Sequence, residues 1–142
     1  MDLDFVIMAD DVTPRADGKL DIHGAGFDSI LAAAVPAQHG RLVLAVRVLL
    51  SHHETESPHW IGVVIQAADG AELARGRADL EAMPDEARSE IPAGRQLGVG
   101  MVLNFENIVF PDYGDHQIGV QWDGNQARPP LRLSVLAPPG QP

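Results

Sequence analysis

Apolar and polar residues alternate along most of the chain, which is the pattern of β-strands with one buried face. In residues 41–50, leucine and valine occupy every even position, and two arginines stand among the odd positions. The pattern predicts a half-buried strand. The odd row also contains Val43, Ala45 and Leu49, which are apolar where a solvent-facing row would be polar. We therefore expect residues 84–96 or a second copy of the chain to cover this row.

Two β-hairpins are predicted from pairs of alternating segments that flank a tight-turn signal. The first joins residues 61–66 to residues 72–81, and the second joins residues 116–122 to residues 131–135. An Asp-Gly pair stands between the two segments in each case, and this pair favours the turns that connect antiparallel strands. The charged residues of the return strands fall on one face, so each hairpin is expected to have one solvated face.

Four further alternating segments bring the total to about nine short strands. They are residues 3–9, 19–23, 27–31 and 99–105. A helix is predicted only at residues 85–90, between two prolines that limit its length.

This pattern of many short strands and frequent turns predicts an all-β fold, specifically an antiparallel β-sandwich of immunoglobulin-like or jelly-roll-like type. The sequence shows no internal repeat and no linker. Residues 1–137 are therefore expected to form a single β-sandwich domain. The Pro- and Gly-rich residues 138–142 are expected to form a flexible tail.

The charge of the chain excludes several classes of partner. Twenty Asp and Glu residues against ten Lys and Arg residues give a formal net charge of −10. Such a surface repels phosphate backbones and anionic lipid headgroups, so we expect neither nucleic acid nor a membrane as a partner. Cysteine is absent, which excludes disulfides and thiolate chemistry. The amino-terminal residues lack the pattern of a secretory signal, so we expect a cytoplasmic protein.

A series of short segments occurs in a characteristic order and spacing. These are residues 18–24, residues 27–30, Pro36, residues 104–111, Gly114 and the pair Asp123-Gly124. Together they resemble a bacterial family of small uncharacterised β-sandwich proteins, classed as a domain of unknown function, over roughly residues 3–136. The resemblance implies a fold and carries over no site residue. This chain departs from the pattern at His116, where such hairpins carry a buried aromatic residue, and has its aromatic residue at Tyr113 instead.

The densest group of potential metal ligands lies between two predicted strands. Three imidazoles and two carboxylates occur there within eight residues, and a divalent cation such as zinc takes ligands of these types: His52, His53, Glu54, Glu56 and His59. Their spacing matches no helical metalloprotease motif and no alternating strand motif. The adjacent histidines would also point to opposite sides of an extended chain. We expect a solvated polar loop, with a metal site as the alternative.

A second candidate cation site lies near the amino terminus. Asp10 and Asp11 end the first predicted strand, and Asp21 lies on the strand expected to pair with it. All three offer the oxygen ligands that calcium prefers. Aspartate is also common in turns because its side chain accepts hydrogen bonds from turn amides. Turn chemistry is therefore the main expectation, and a cation site is the alternative.

Three residues are candidates for contact with a protein partner. Trp60 is out of phase with the apolar row that follows it, and an exposed tryptophan is a frequent anchor in protein interfaces. Val43 and Leu49 belong to the apolar row that needs a cover. We expect these three residues to contribute to partner binding or self-association.

The sequence therefore predicts a non-enzymatic module that binds a protein partner or assembles with copies of itself. No serine lies in a Gly-x-Ser-x-Gly motif, and no pair is singled out among the twenty acidic residues. The alternative is a metal-binding protein or metal-dependent enzyme that uses residues 52–59. Apart from a divalent cation, the sequence suggests no cofactor.

Overall fold

Strands make up 58% and helices 6% of the computed structural model, which describes residues 1–140. One short helix, α1 (Asp85–Ser89), confirms the predicted helical segment, and a single 3-10 turn covers Glu54–Glu56. Of the predicted tail, residues 138–140 form neither strand nor helix, and the last two residues lie outside the described part. The strands are β1 (Asp2–Ala9), β2 (Asp11–Pro14), β3 (Leu20–His23), β4 (Ser29–Leu31), β5 (Ala37–Leu50), β6 (His59–Gln66), β7 (Glu72–Leu80), β8 (Leu97–Phe110), β9 (Gly114–Trp122), β10 (Asn125–Gln126) and β11 (Leu131–Leu136).

The eleven strands in residues 1–140 correct the expected number of about nine. All nine predicted segments form strands, and β2 and β10 are additional. These two strands are four and two residues long, which is too short for alternation to identify them. The chain bends at Asp10 after β1, so β3 pairs with β2 and not with β1.

The strands form three sheets. One has the order β1-β5-β8, the largest has the order β4-β11-β9-β6-β7 with β10 on β9, and β2 pairs with β3. The expectation of a purely antiparallel fold is wrong at one place, because β4 pairs with β11 in parallel. One sheet is curled into a half-barrel.

The inward faces of the first two sheets share one apolar core. The even positions of residues 41–50 lie in this core, as the alternation predicted; Leu42 and Leu44 are fully buried there. They belong to the same cluster as Ile61 of β6 and Ile118 of β9. Burial of such side chains contributes about 1.5 to 3 kcal/mol each, so this shared core holds the two sheets together.

The outer face of β5 is covered by the β2–β3 hairpin. Val43 and Ala45 are fully buried and form a second apolar cluster with Val12 of the hairpin, against which Ile22 packs. The predicted cover, residues 84–96 or a second copy of the chain, is therefore wrong for these two positions. Because the chain covers its own apolar row, Val43 is not available to a partner.

One edge of the fold brings β7 close to β8, although the sheets of the described residues include no hydrogen-bonded pairing between these two strands. Gly76 lies on β7 where a Cβ atom would be only 2.8 Å from Cζ of Phe105 on β8. The absent side chain at Gly76 therefore makes room for the Phe105 ring. Beyond this contact the two strands leave an opening of about 430 Å³, which we call the edge cleft and which is lined by residues 73–75 and 104–109.

His116 occupies the buried position at which the resemblance implied an aromatic residue. Its side chain is fully buried and meets Phe110 edge-to-face, with ring centroids 5.1 Å apart. Its Nδ1 lies 3.0 Å from the carbonyl oxygen of Gly114 and donates a hydrogen bond to it, whereas its Nε2 has no hydrogen-bond partner among residues 1–140. A buried polar atom without a partner costs free energy, so this position is not optimised for stability.

The substitution His116→Phe is expected to leave the free energy of unfolding within about 1 kcal/mol of the wild type, because removal of the unpaired Nε2 offsets loss of the hydrogen bond from Nδ1 to Gly114, and an aromatic ring stays against Phe110. Urea unfolding monitored by circular dichroism measures this change. His116→Ala is the comparison, because it leaves a cavity and should destabilise the fold. If His116→Phe destabilises the protein as much as His116→Ala does, the unpaired nitrogen is not a cost.

Candidate functional site

His59, the first residue of β6, links three segments of the chain. Its Nδ1 lies 2.7 Å from Oδ2 of Asp123, in the turn between β9 and β10, and its Nε2 lies 2.7 Å from the carbonyl oxygen of Glu54. Its ring also stacks on Trp122 with a centroid distance of 4.9 Å. A carboxylate and a carbonyl can only accept, so both ring nitrogens donate only when the imidazole is protonated. The geometry therefore favours the charged form of His59.

The electrostatics of His59 agree with this geometry. Burial lowers the pKa of the imidazole, but the hydrogen bonds to Asp123 and to the Glu54 carbonyl outweigh it and raise the pKa above its ordinary value of 6.5. The His59 side chain is only 13% exposed, compared with 36% for Asp123. The pair therefore lies at the boundary between the core and the solvent. There His59 connects the loop between β5 and β6 to the turn at Asp123.

Glu54 fixes the start of the same loop. Its carboxylate accepts a hydrogen bond from the backbone N–H of Ser51 at 2.9 Å and pairs with the amino group of Met1 at 2.5 Å. Burial raises the pKa of Glu54, but the contacts with the amino group and Ser51 outweigh it, so the pKa is lowered. Glu54 is thus an ionised residue that holds the loop in place.

The helix α1 is tied to the loop through Arg88. Its guanidinium pairs with Glu56 at 2.5 Å and donates a hydrogen bond from Nε to Oγ1 of the buried Thr55 at 3.2 Å. The Nε2 of His52 lies 3.1 Å from the Arg88 carbonyl oxygen, to which it donates. His53 is 90% exposed, with its Nδ1 3.3 Å from Glu56. These contacts make the loop a polar anchor for α1.

The five predicted metal ligands do not converge on one point. His52, Glu54, Glu56 and His59 each contact another part of the fold, and the exposed His53 contacts Glu56 alone among the five. Within residues 1–140, no group of three or more His, Cys, Asp or Glu side chains is arranged to hold a metal ion. The loop would have to rearrange before these donors could surround a cation.

The three acidic residues of the second candidate cation site do not share a contact partner. Asp11 pairs with Arg41 at 3.0 Å, and Asp21 lies 3.7 Å from Arg15. Asp10 occupies the bend after β1. Arginine side chains thus already neutralise two of the three carboxylates.

Trp60 lies half-buried on the outer face of the largest sheet. The guanidinium carbon of Arg77 stands 4.4 Å from the centre of its ring, and its backbone N–H donates to Oδ1 of Asp123 at 3.0 Å. The cation–π contact covers one face of the indole. Leu49 is half-buried on β5, so of the three predicted interaction residues only Val43 is fully buried.

Two residues that organise this region were not singled out in the sequence. Asp123 was recognised as part of a turn, and it adopts a left-handed conformation with φ of 50°. Its two carboxylate oxygens bind residues of β6 that lie 63 and 64 positions away in sequence. Arg88 lies 32 positions from Glu56. No local sequence pattern predicts such contacts. The position of Asp123 in a turn at the end of a predicted strand was the one feature that could have marked it.

These contacts and the sheets define an all-β protein whose polar loop, at residues 51–59, anchors the fold. The model of a family of unknown function (DUF6941) matches residues 4–134, and the chain belongs to that family. This confirms the expected relationship to an uncharacterised domain. No curated protein matches the chain. No helix within residues 1–140 has the length and apolar character needed to cross a membrane.

Proposed function

We propose that this protein is a non-enzymatic module that assembles with copies of itself through the free edge of its largest sheet. Four large hydrophobic residues are exposed in the described part of the chain, and three of them gather around β4. They are Leu31, Tyr113 and Leu136, which we call the β4 patch. An exposed group of apolar side chains is characteristic of an interaction surface.

The β4 patch is held together by specific contacts. Leu31 and Leu136 are direct partners in the parallel pairing of β4 with β11, and they are 61% and 44% exposed. The phenol of Tyr113 donates a hydrogen bond to the carbonyl oxygen of Ala32 at 2.9 Å, which holds this turn against the end of β4. The patch is therefore a fixed feature of the surface.

Self-association at this edge would pair the free side of β4 and cover the exposed leucines. β4 ends the largest sheet, so its outer side has no partner strand within residues 1–140. Two copies related by a two-fold axis could place their β4 strands side by side and cover both leucine pairs. The same surface patch then faces itself, as a two-fold interface requires. In this proposal the contact residues are Leu31 and Leu136, and the buried Val43 is not one of them.

Native mass spectrometry of untagged protein, prepared without chelator, tests this proposal. We expect a dimer for the wild-type chain and a monomer for the double variant Leu31→Ser, Leu136→Ser, because the variant removes the apolar contact. Val109→Ser is the matched control, since Val109 is 50% exposed on β8, which belongs to a different sheet from β4. A monomeric wild-type protein, or a double variant that dimerises like the control, would contradict the proposal.

The same spectrum tests the alternative of a metal-binding protein or metal-dependent enzyme. A metal retained at one ion per chain, and lost in the triple variant His52→Ala, His53→Ala, His59→Ala, would favour this alternative over a pure assembly module. The contacts of His59 with Asp123 and Glu54 weigh against it, because both ring nitrogens are already engaged.

We also propose a β-sandwich architecture and a cytoplasmic location for this protein. Two sheets that share one apolar core support a β-sandwich of immunoglobulin-like or jelly-roll-like type. The net charge of −10 supports a soluble module that avoids nucleic acids and anionic membranes. One lysine beside nine arginines supports the expected bacterial source, and we place the protein in the cytoplasm.

A further inference from the structure

The edge cleft lies between two strands that each have a free side. Within residues 1–140, β7 pairs with β6 alone and β8 pairs with β5 alone. The strands are in contact at Gly76 and Phe105 and separate beyond that point. In the edge cleft the outer side of β8 therefore faces an opening of about 430 Å³. Free strand edges of this kind bind extended peptides by adding them to the sheet.

Both walls of the edge cleft depart from regular strand geometry. On β7 the register shifts opposite Ile65 and Gln66, which leaves Leu73 as an extra residue. On β8, Asn107 has a φ of 55°. Of the two residues that follow it, Ile108 is buried and Val109 is 50% exposed. Such irregularities bend a strand locally and re-aim its side chains. Here they expose an apolar side chain beside a free backbone edge.

The charges in the edge cleft select the kind of peptide. Arg75 is the cleft's only basic residue, and Glu72 neutralises it at 2.6 Å. Glu106 is exposed, and within residues 1–140 no Lys, Arg or His forms a salt bridge with it. Arg41, its neighbour on β5, instead contacts Asp11 and Asn104. The uncompensated charge in the edge cleft is therefore negative, as is the net charge of the chain.

We propose that the edge cleft binds an extended basic peptide segment, which adds as a strand to the free edge of β8. A lysine or arginine of the peptide pairs with Glu106, and an apolar residue of the peptide packs on Val109 and Leu73. This site lies on a different sheet edge from the β4 patch, so it is independent of the proposed self-association.

The probe is a blocked hexapeptide of alternating valine and lysine, titrated into isotopically labelled full-length protein and followed by backbone amide NMR. We expect shifts concentrated at residues 73–75 and 104–109, together with slower amide hydrogen exchange along residues 104–109. The corresponding peptide of alternating valine and glutamate should not bind. Equal binding of the acidic peptide, or shifts concentrated elsewhere, would overturn the proposal.

A charge reversal separates local recognition from general electrostatic attraction. Glu106→Lys should weaken binding of the basic peptide by about tenfold, because it places two cations in contact. Glu90→Lys is the matched control, since it changes the net charge equally on an exposed residue after α1. The control should change affinity by less than about twofold at physiological salt, where distant charges are screened. If both variants weaken binding equally, attraction to the whole surface explains it and the site is refuted.

Discussion

Replacing Phe105 with alanine is expected to lower the free energy of unfolding by about 3 to 5 kcal/mol, the usual cost of deleting a buried phenyl ring. Phe105 is only 5% exposed and belongs to the shared core. Its ring contacts Gly76 of β7, so it fills the space between β7 and β8, which belong to different sheets. Urea unfolding monitored by tryptophan fluorescence measures the loss.

The contact between Phe105 and Gly76 can be isolated by a double-mutant cycle. Gly76→Val alone should cost about 1 to 3 kcal/mol, because a Cβ atom there would lie 2.8 Å from the phenyl ring. In the Phe105→Ala background the same substitution should be close to neutral, because the space is then vacant. Gly40→Val is the control, because a Cβ atom added there meets no atom within 4 Å. Gly70→Val is unsuitable, because the φ angle of +90° at Gly70 would strain any side chain. Additive effects of the two core substitutions would show that the ring and the glycine do not share one space.

The stability of the protein is expected to fall as the pH rises above 6.5, the ordinary pKa of histidine, toward and through the raised folded-state pKa of His59. Below this window both the folded and the unfolded chain carry the proton, so the full stabilisation is present. Above it the folded imidazole loses its proton and one of its two hydrogen bonds. Urea unfolding at a series of pH values measures this slope, and NMR titration of the ring gives the folded-state pKa directly.

The substitution His59→Phe tests the origin of this dependence. It keeps an aromatic ring against Trp122 but removes both donors, so below pH 6.5 it should cost about 1.5 to 3 kcal/mol and remove the slope attributed to His59. His53→Phe is the matched control, because His53 is 90% exposed and its contact with Glu56 contributes little. If the variant at position 59 retains the wild-type slope, another group causes it.

The strands of the core were predictable because their signal is local. In residues 41–50 the even positions were assigned to the core, and Leu42, Leu44 and Val46 are fully buried there. The two Asp-Gly turns and the helix at residues 85–89 also follow from neighbouring residues. A period of two residues determines which side chains share a face, whatever the order of the strands in the sheet.

The candidate site was predictable only as a group of residues close in sequence. Residues 52–58 do connect two strands, and His59 begins β6, but the contacts of this segment run to Asp123 and Arg88, which no short motif links to it. Asp123 lies 64 positions after His59, and the two meet because β6 pairs with β9. A pattern of alternation is compatible with many strand orders, so the sequence could not identify these partners.

By itself, the sequence determined the all-β class, the faces of the main strands, the absence of thiol chemistry and the excess of negative charge, because each is a property of composition or of neighbouring residues. The tertiary structure decided what covers Val43, which residues hold His59, and where a strand edge and an apolar patch stay exposed. The reason is physical. These features depend on which strands become neighbours, and strand order is set by the packing of the whole core, to which all segments contribute together.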